Sequence, residues 1–153
     1  MAELDVVSSF KQAVEHLKGG YPQKASLLLK SCVESDRSNP YYLSFLGLAI
    51  ARAKKGGAAA AKLCETALEA KKNELQFHLN LAEVYASMGR REDAVAALDQ
   101  ARETFGANAR LAMARLKVGK RRSPMIPFLD RSHLLNKNLG KLRHGISKKF
   151  SAV

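Results

Sequence analysis

The sequence contains no tryptophan, only 7% aromatic residues, four prolines and two cysteines in 153 residues. With so few large rings, close packing falls to small side chains, and the abundant alanine suits helices that approach one another closely. The cysteines, Cys32 and Cys64, stand on apolar helical faces and not in a C-x-x-C pair, so each is expected as a small buried hydrophobe without a metal or redox role. The four histidines, His16, His78, His133 and His144, form no i,i+3 or i,i+4 pair that would suggest metal ligation. There is no nucleophile motif, phosphate-binding glycine loop or pair of catalytic carboxylates. Gly19-Gly20 and Gly56-Gly57 fit turns between helices, with no preceding strand. No enzymatic activity, cofactor or metal is therefore expected. No apolar run approaches the roughly 18 to 20 residues of a membrane-spanning helix. The start, Met-Ala-Glu-Leu-Asp, lacks the basic residues and apolar run of a signal peptide, so the expected location is the cytoplasm.

What is present is helical periodicity, and hydrophobic content of 46% is enough for a buried core. The stretch Asn73–Glu103 carries two apolar rows at helical spacing, Phe77, Leu81, Val84, Tyr85 and then Ala94, Val95, Leu98, Ala101. Met88-Gly89-Arg90 separates them, with a glycine free to adopt positive φ. The stretch reads as helix, tight turn, helix. Upstream, Val6, Val7, Phe10, Val14 and Leu17 stripe a first helix from Glu3 to Lys18. Pro22 opens a second, with Ala25, Leu28, Leu29, Cys32 and Val33 on its packing face. Asn39 is placed to cap a helix from Tyr41 to Lys54 with Pro40 in its first turn, and Gly56-Gly57 is expected to be the turn that follows. Ala60, Leu63, Cys64, Ala67 and Leu68 make the next packing face.

These segments repeat. Ala25, Ala60 and Ala94 are separated by 35 and 34 residues, and Cys32, Ala67 and Ala101 by the same intervals. Leu81-Ala82, Tyr85, Gly89, Ala94, Leu98 and Ala101 resemble the tetratricopeptide repeat (TPR) from end to end. Ala13, Gly20, Ala25, Leu29 and Cys32 match in the first unit, and Leu46-Gly47 and Ala60 in the second. Gln12 and His16 depart from the pattern. The resemblance covers about 10–105 and implies an all-α, right-handed α-solenoid of helical hairpins, because one hairpin cannot bury both of its faces alone. The expected organisation is a repeat domain over 1–119, with units at about 5–38, 39–73 and 74–106 and a capping helix at 107–118. A basic extension over 120–153 follows.

In this family the first helix of each unit lines a concave groove for a peptide or helix of a partner. Carried over, the groove positions are Phe10, Lys11 and Val14 with Val7; Tyr41, Phe45, Leu48 and Arg52 with Ser44; and Gln76, Leu79, Asn80 and Glu83. Some relatives clamp the terminal carboxylate of heat-shock chaperones with Lys and Asn. Here Phe10, Val14 and Phe45 occupy such places and only Asn80 fits, so that partner class is not expected. The implied function is a non-catalytic adaptor or scaffold. A small chaperone similar to the three-repeat TPR chaperones of bacterial secretion systems is a second reading.

The net charge of +12 is unevenly spread: residues 1–106 carry 14 Lys/Arg against 13 Asp/Glu, whereas residues 107–153 carry 12 against one. This asymmetry suggests a third reading, binding of an acidic protein, nucleic acid or anionic surface through Lys120, Arg121, Arg122, Lys137, Lys141, Arg143, Lys148 and Lys149. Pro124 and Pro127 favour an extended stretch from Met125 to Leu129. Leu135, Leu139, Leu142 and Ile146 then mark an amphipathic helix from about Ser132 to Arg143, expected to cover the last hairpin. Neither the partner's identity nor the oligomeric state is legible.

Overall fold

Helix ends are set by local chemistry at each junction. The computed structural model describes residues 2–54 and 56–119. Among these there are seven helices and no strand: α1 (Ala2–Lys18), α2 (Pro22–Ser35), α3 (Pro40–Arg52), α4 (Gly57–Ala70), α5 (Leu75–Ser87), α6 (Arg91–Phe105) and α7 (Ala109–Gly119). Asn39 caps α3 as expected, its side chain accepting from the Tyr41 amide at 3.0 Å, with Pro40 in the first turn where its missing N–H leaves nothing unpaired. Asn108 does the same for α7, accepting from the Arg110 amide at 2.8 Å. Glu74 caps α5.

Within each hairpin the chain reverses through a left-handed residue. Gly20 (φ 79°) and Gly89 (φ 76°) fill this place in the first and third hairpins, and Lys54 (φ 58°) fills it in the second. The expected turn at Gly56-Gly57 is thus shifted. Gly57 already belongs to α4, and Gly56 is its left-handed N-cap. The hairpin turns at Ala53–Lys54, and the one-residue excess of the 35-residue interval lies in this longer connection.

The hairpins α1–α2, α3–α4 and α5–α6 pack internally. Successive hairpins stack through α2 on α3 and α4 on α5, and α7 lies against α5 and α6. First helices also touch along the stack, α1 with α3, α3 with α5 and α5 with α7. The repeated small residues are the reason. Ala25, Ala60 and Ala94 are all wholly buried, as are Ala67 and Ala101. At Gly47 an added Cβ would lie 2.6 Å from both the carbonyl oxygen of Ala60 and Sγ of Cys64. No side chain fits there, and α3 and α4 approach to backbone contact. Leu29, Phe77, Leu81, Val84 and Leu98 fill the space between the small positions. Cys32 and Cys64 are free thiols buried within these helices. The extended stretch from Met125 to Leu129, the helix expected from about Ser132 to Arg143, and the basic residues from Lys120 to Lys149 lie outside the described residues.

Candidate functional site

The stacked first helices leave a cavity of about 630 Å³ along one face, walled by α3, α5 and α7. Its floor and sides carry Leu48, Leu79, Ala82, Ala86, Ala114 and Val118, with Met113 at the rim. Leu48 is buried, Leu79 is half-buried, and Met113 is 59% exposed, so an apolar surface is open to solvent at the α7 side.

Six of the eleven residues expected in a groove are brought together here: Leu48, Arg52, Gln76, Leu79, Asn80 and Glu83. The other five lie elsewhere. Phe10 packs its ring against Tyr42 at 5.2 Å and edge-on against Phe45 at 5.3 Å, so these rings knit α1 to α3. Lys11 is exposed and Val14 half-buried on α1. Tyr41 sits at the start of α3, where its hydroxyl donates to Glu74 (2.8 Å) and accepts from Lys71 (2.7 Å), with the ring edge-on to Phe77. Lys71 also lies over the Tyr41 ring, 4.8 Å from its centre. This cluster ties the α4–α5 connection to α3.

The wall contributed by α7 was not anticipated. Arg110, Met113, Ala114 and Lys117 stand 34 residues after Gln76, Leu79, Asn80 and Glu83, which is the repeat interval. That interval alone would have found them, although no second helix with the small-residue pattern marks a fourth unit.

Two polar assemblies shape the cavity. In the first, Arg52 meets Glu83 bidentately, Nε to Oε1 at 2.5 Å and Nη2 to Oε2 at 2.9 Å, while Nη1 donates to the Leu17 carbonyl at 3.0 Å. The hydrogen bond to Glu83 raises the pKa of Arg52, against the opposing effect of burial. In the second, the wholly buried Asn80 donates from Nδ2 to Ser44 Oγ at 2.9 Å and accepts from Gln76 Nε2 at 2.7 Å. Gln76 Oε1 in turn accepts from Arg110 Nη2. A chain of hydrogen bonds thus runs from the buried floor to the guanidinium at the rim. Among the described residues, no three His, Cys, Asp or Glu side chains are grouped as metal ligands, and no helix is long and apolar enough to cross a membrane.

Stacked antiparallel hairpins with a groove along their first helices define an α-helical repeat solenoid. The tetratricopeptide-repeat family profile matches residues 51–118. The second TPR domain of human RPAP3, solved with an HSP70 peptide, superposes with a TM-score of 0.64 at 14% identity, over 79% of this chain and 100% of that one. The TPR domain of Sgt2 from Aspergillus fumigatus gives 0.64 at 14% identity, over 84% and 92%. PcrH, solved with the chaperone-binding region of PopD, gives 0.62 at 16% identity, over 78% and 89%. No curated protein sequence matches the chain. Residues 51–118 thus resemble the tetratricopeptide repeat, and the described helices share the fold of TPR domains.

Proposed function

We propose that the protein is a non-catalytic interaction module, an adaptor or scaffold, which holds a peptide or helix of its partner in the groove formed by α3, α5 and α7. The observation that carries this reading is an apolar lining left open where a folded chain ordinarily covers it: Leu79 and Met113 face a cavity large enough for several side chains. The solved complexes of RPAP3 and PcrH with peptide segments support it, since each has the same fold. Clamping of a chaperone's terminal carboxylate draws no support from Asn80, whose amide is committed to Ser44 and Gln76. The likeness to PcrH favours a small chaperone as the second reading. A cytoplasmic location belongs to the same proposal.

Photo-crosslinking separates these from binding through the basic extension over 120–153. A benzophenone amino acid placed at Met113 in the full chain, in its own cell, should form adducts with a protein partner. The same group at Leu27, exposed on α2, should form none. Adducts should persist at high salt, because apolar burial is weakly salt-dependent whereas phosphate contacts weaken steeply. Equal adducts at both positions, or none at Met113, would overturn the groove reading.

A further inference from the structure

The groove's charges are unequal. Arg52 is neutralised by Glu83 across the α3–α5 wall. Arg110 and Lys117 on α7 also line the cavity, and neither has a carboxylate partner among the described residues. Arg115, on another face of α7, is paired with Asp99. Arg110 is held in place as well: its guanidinium donates to Gln76, which is fixed by Asn80, which is fixed by the buried hydroxyl of Ser44. A long side chain aimed by a chain of hydrogen bonds rooted in the buried floor loses less freedom when it meets an anion than a free one does. Lys117 lies seven residues further on, two helical turns or about 10 Å along the same face. Met113 stands between them with its apolar side chain exposed.

From this we infer that the groove takes an acidic amphipathic segment of a protein partner. One carboxylate meets Arg110, a second about 10 Å away meets Lys117, and a large apolar side chain between them enters over Met113 and Leu79. This rests on the groove reading above and adds the chemistry of the occupant. Ser44, Asn80 and Gln76 are positioning residues that act through Arg110. Basic or uncharged segments are disfavoured, since they leave both cations desolvated without partners.

A random-peptide library displayed on phage and panned on the full-length chain supplies the probes, with affinities of the enriched peptides measured by fluorescence anisotropy. Enriched peptides should carry two Asp or Glu residues flanking Leu, Met or Phe. Replacing both acids by their amides should weaken binding about tenfold. In the Arg110→Gln, Lys117→Gln double variant that difference should vanish, which isolates the charge coupling from any general loss of fold. Gln76→Met should weaken acidic peptides but not their amide counterparts. Enriched peptides that lack acids yet lose affinity on Leu79→Glu would overturn the acidic occupant and leave the groove standing. Affinity lost on neutralising Lys137, Lys141 and Arg143, with Arg110→Gln without effect, would also overturn it. Peptides insensitive to Leu79→Glu, or no enrichment at all, would sink this inference and the groove together.

Discussion

Asn80 on α5 donates its amide to the hydroxyl of Ser44 on α3 across 2.9 Å, and both side chains are wholly buried. The Ser44 hydroxyl and the Asn80 amide nitrogen are thus paired with each other only while adjacent hairpins hold their register. Asn80→Leu should cost about 1–3 kcal/mol by leaving the Ser44 hydroxyl and the Gln76 amide without their partner. The pair Asn80→Leu, Ser44→Ala should recover part of that loss. Urea denaturation of the three variants and the parent measures the coupling; strictly additive losses would show that the bond contributes no coupling of its own.

Close approach of helices within a hairpin depends on residues with little or no side chain. Gly47→Ala should destabilise by about 1–3 kcal/mol, since the new methyl meets the Ala60 carbonyl, which cannot swing away. Ala94→Leu should cost a similar amount, about 1–3 kcal/mol, from a position with no exposed surface. Thermal melts followed by circular dichroism test both, and an unchanged midpoint for either would mean that the crossing is looser than described.

Lys54 adopts φ 58° where the sister hairpins have glycine. A side chain in that region costs about 1–2 kcal/mol, and glycine's freedom in the unfolded chain gives back part of the relief. Lys54→Gly should therefore stabilise by up to about 1 kcal/mol. Guanidinium melts would register this as a higher midpoint with an unchanged slope; a lower midpoint would contradict the backbone geometry.

Burial pushes the Cys64 thiol up to about 12, with the nearby Glu65 adding to the shift and the hydrogen bonds of the thiol opposing it. Burial and the hydrogen bond with Glu65 push Tyr85 to about 12 as well. Both folded values lie above the ordinary ones, so their contribution to stability is complete below about pH 9 and is lost as pH rises toward 12. Tyr85→Phe should flatten the upper part of that loss. At pH 8 a thiol reagent should modify Cys64 only as fast as the chain opens, and in denaturant at once. Rapid modification of the native protein would contradict the burial.

Much of the fold was legible because it rests on periodicity. Alanines at a constant interval mark helix crossings whatever fills the intervening positions, and Asn39-Pro40 marks a helix start by chemistry alone. Gly56-Gly57 marks the α3–α4 connection, and Gly56 is left-handed there, but the chain already reverses at Ala53–Lys54, where the repeat geometry imposes a left-handed conformation on a residue whose type does not signal it. The groove was legible in α3 and α5, where interior residues such as Leu48, Leu79 and Glu83 follow the repeat register. It was not in α1, where Phe10 finds Tyr42 and Phe45 closer than any open surface. It was missed in α7, because a helix without its hairpin partner shows no small-residue pattern by which to set its register. Asn80 lines the groove, yet its amide nitrogen turns inward to Ser44 and its oxygen accepts from Gln76; one residue's polarity does not tell which way its amide faces.

The guanidinium of Arg52 holds Glu83 of α5 with two nitrogens and the last turn of α1 with the third. Three consecutive first helices are therefore strapped through one side chain, and the strap runs along the wall of the cavity. The pair is about half exposed, so it acts as an adjustable fastening and not a rivet. Salt, or an acidic occupant that competes with Glu83 for Arg52, would slacken the joint between the second and third hairpins. The register of α1, α3 and α5 along the cavity wall thus hangs on one guanidinium, which makes the stacking of the first helices sensitive to ionic strength.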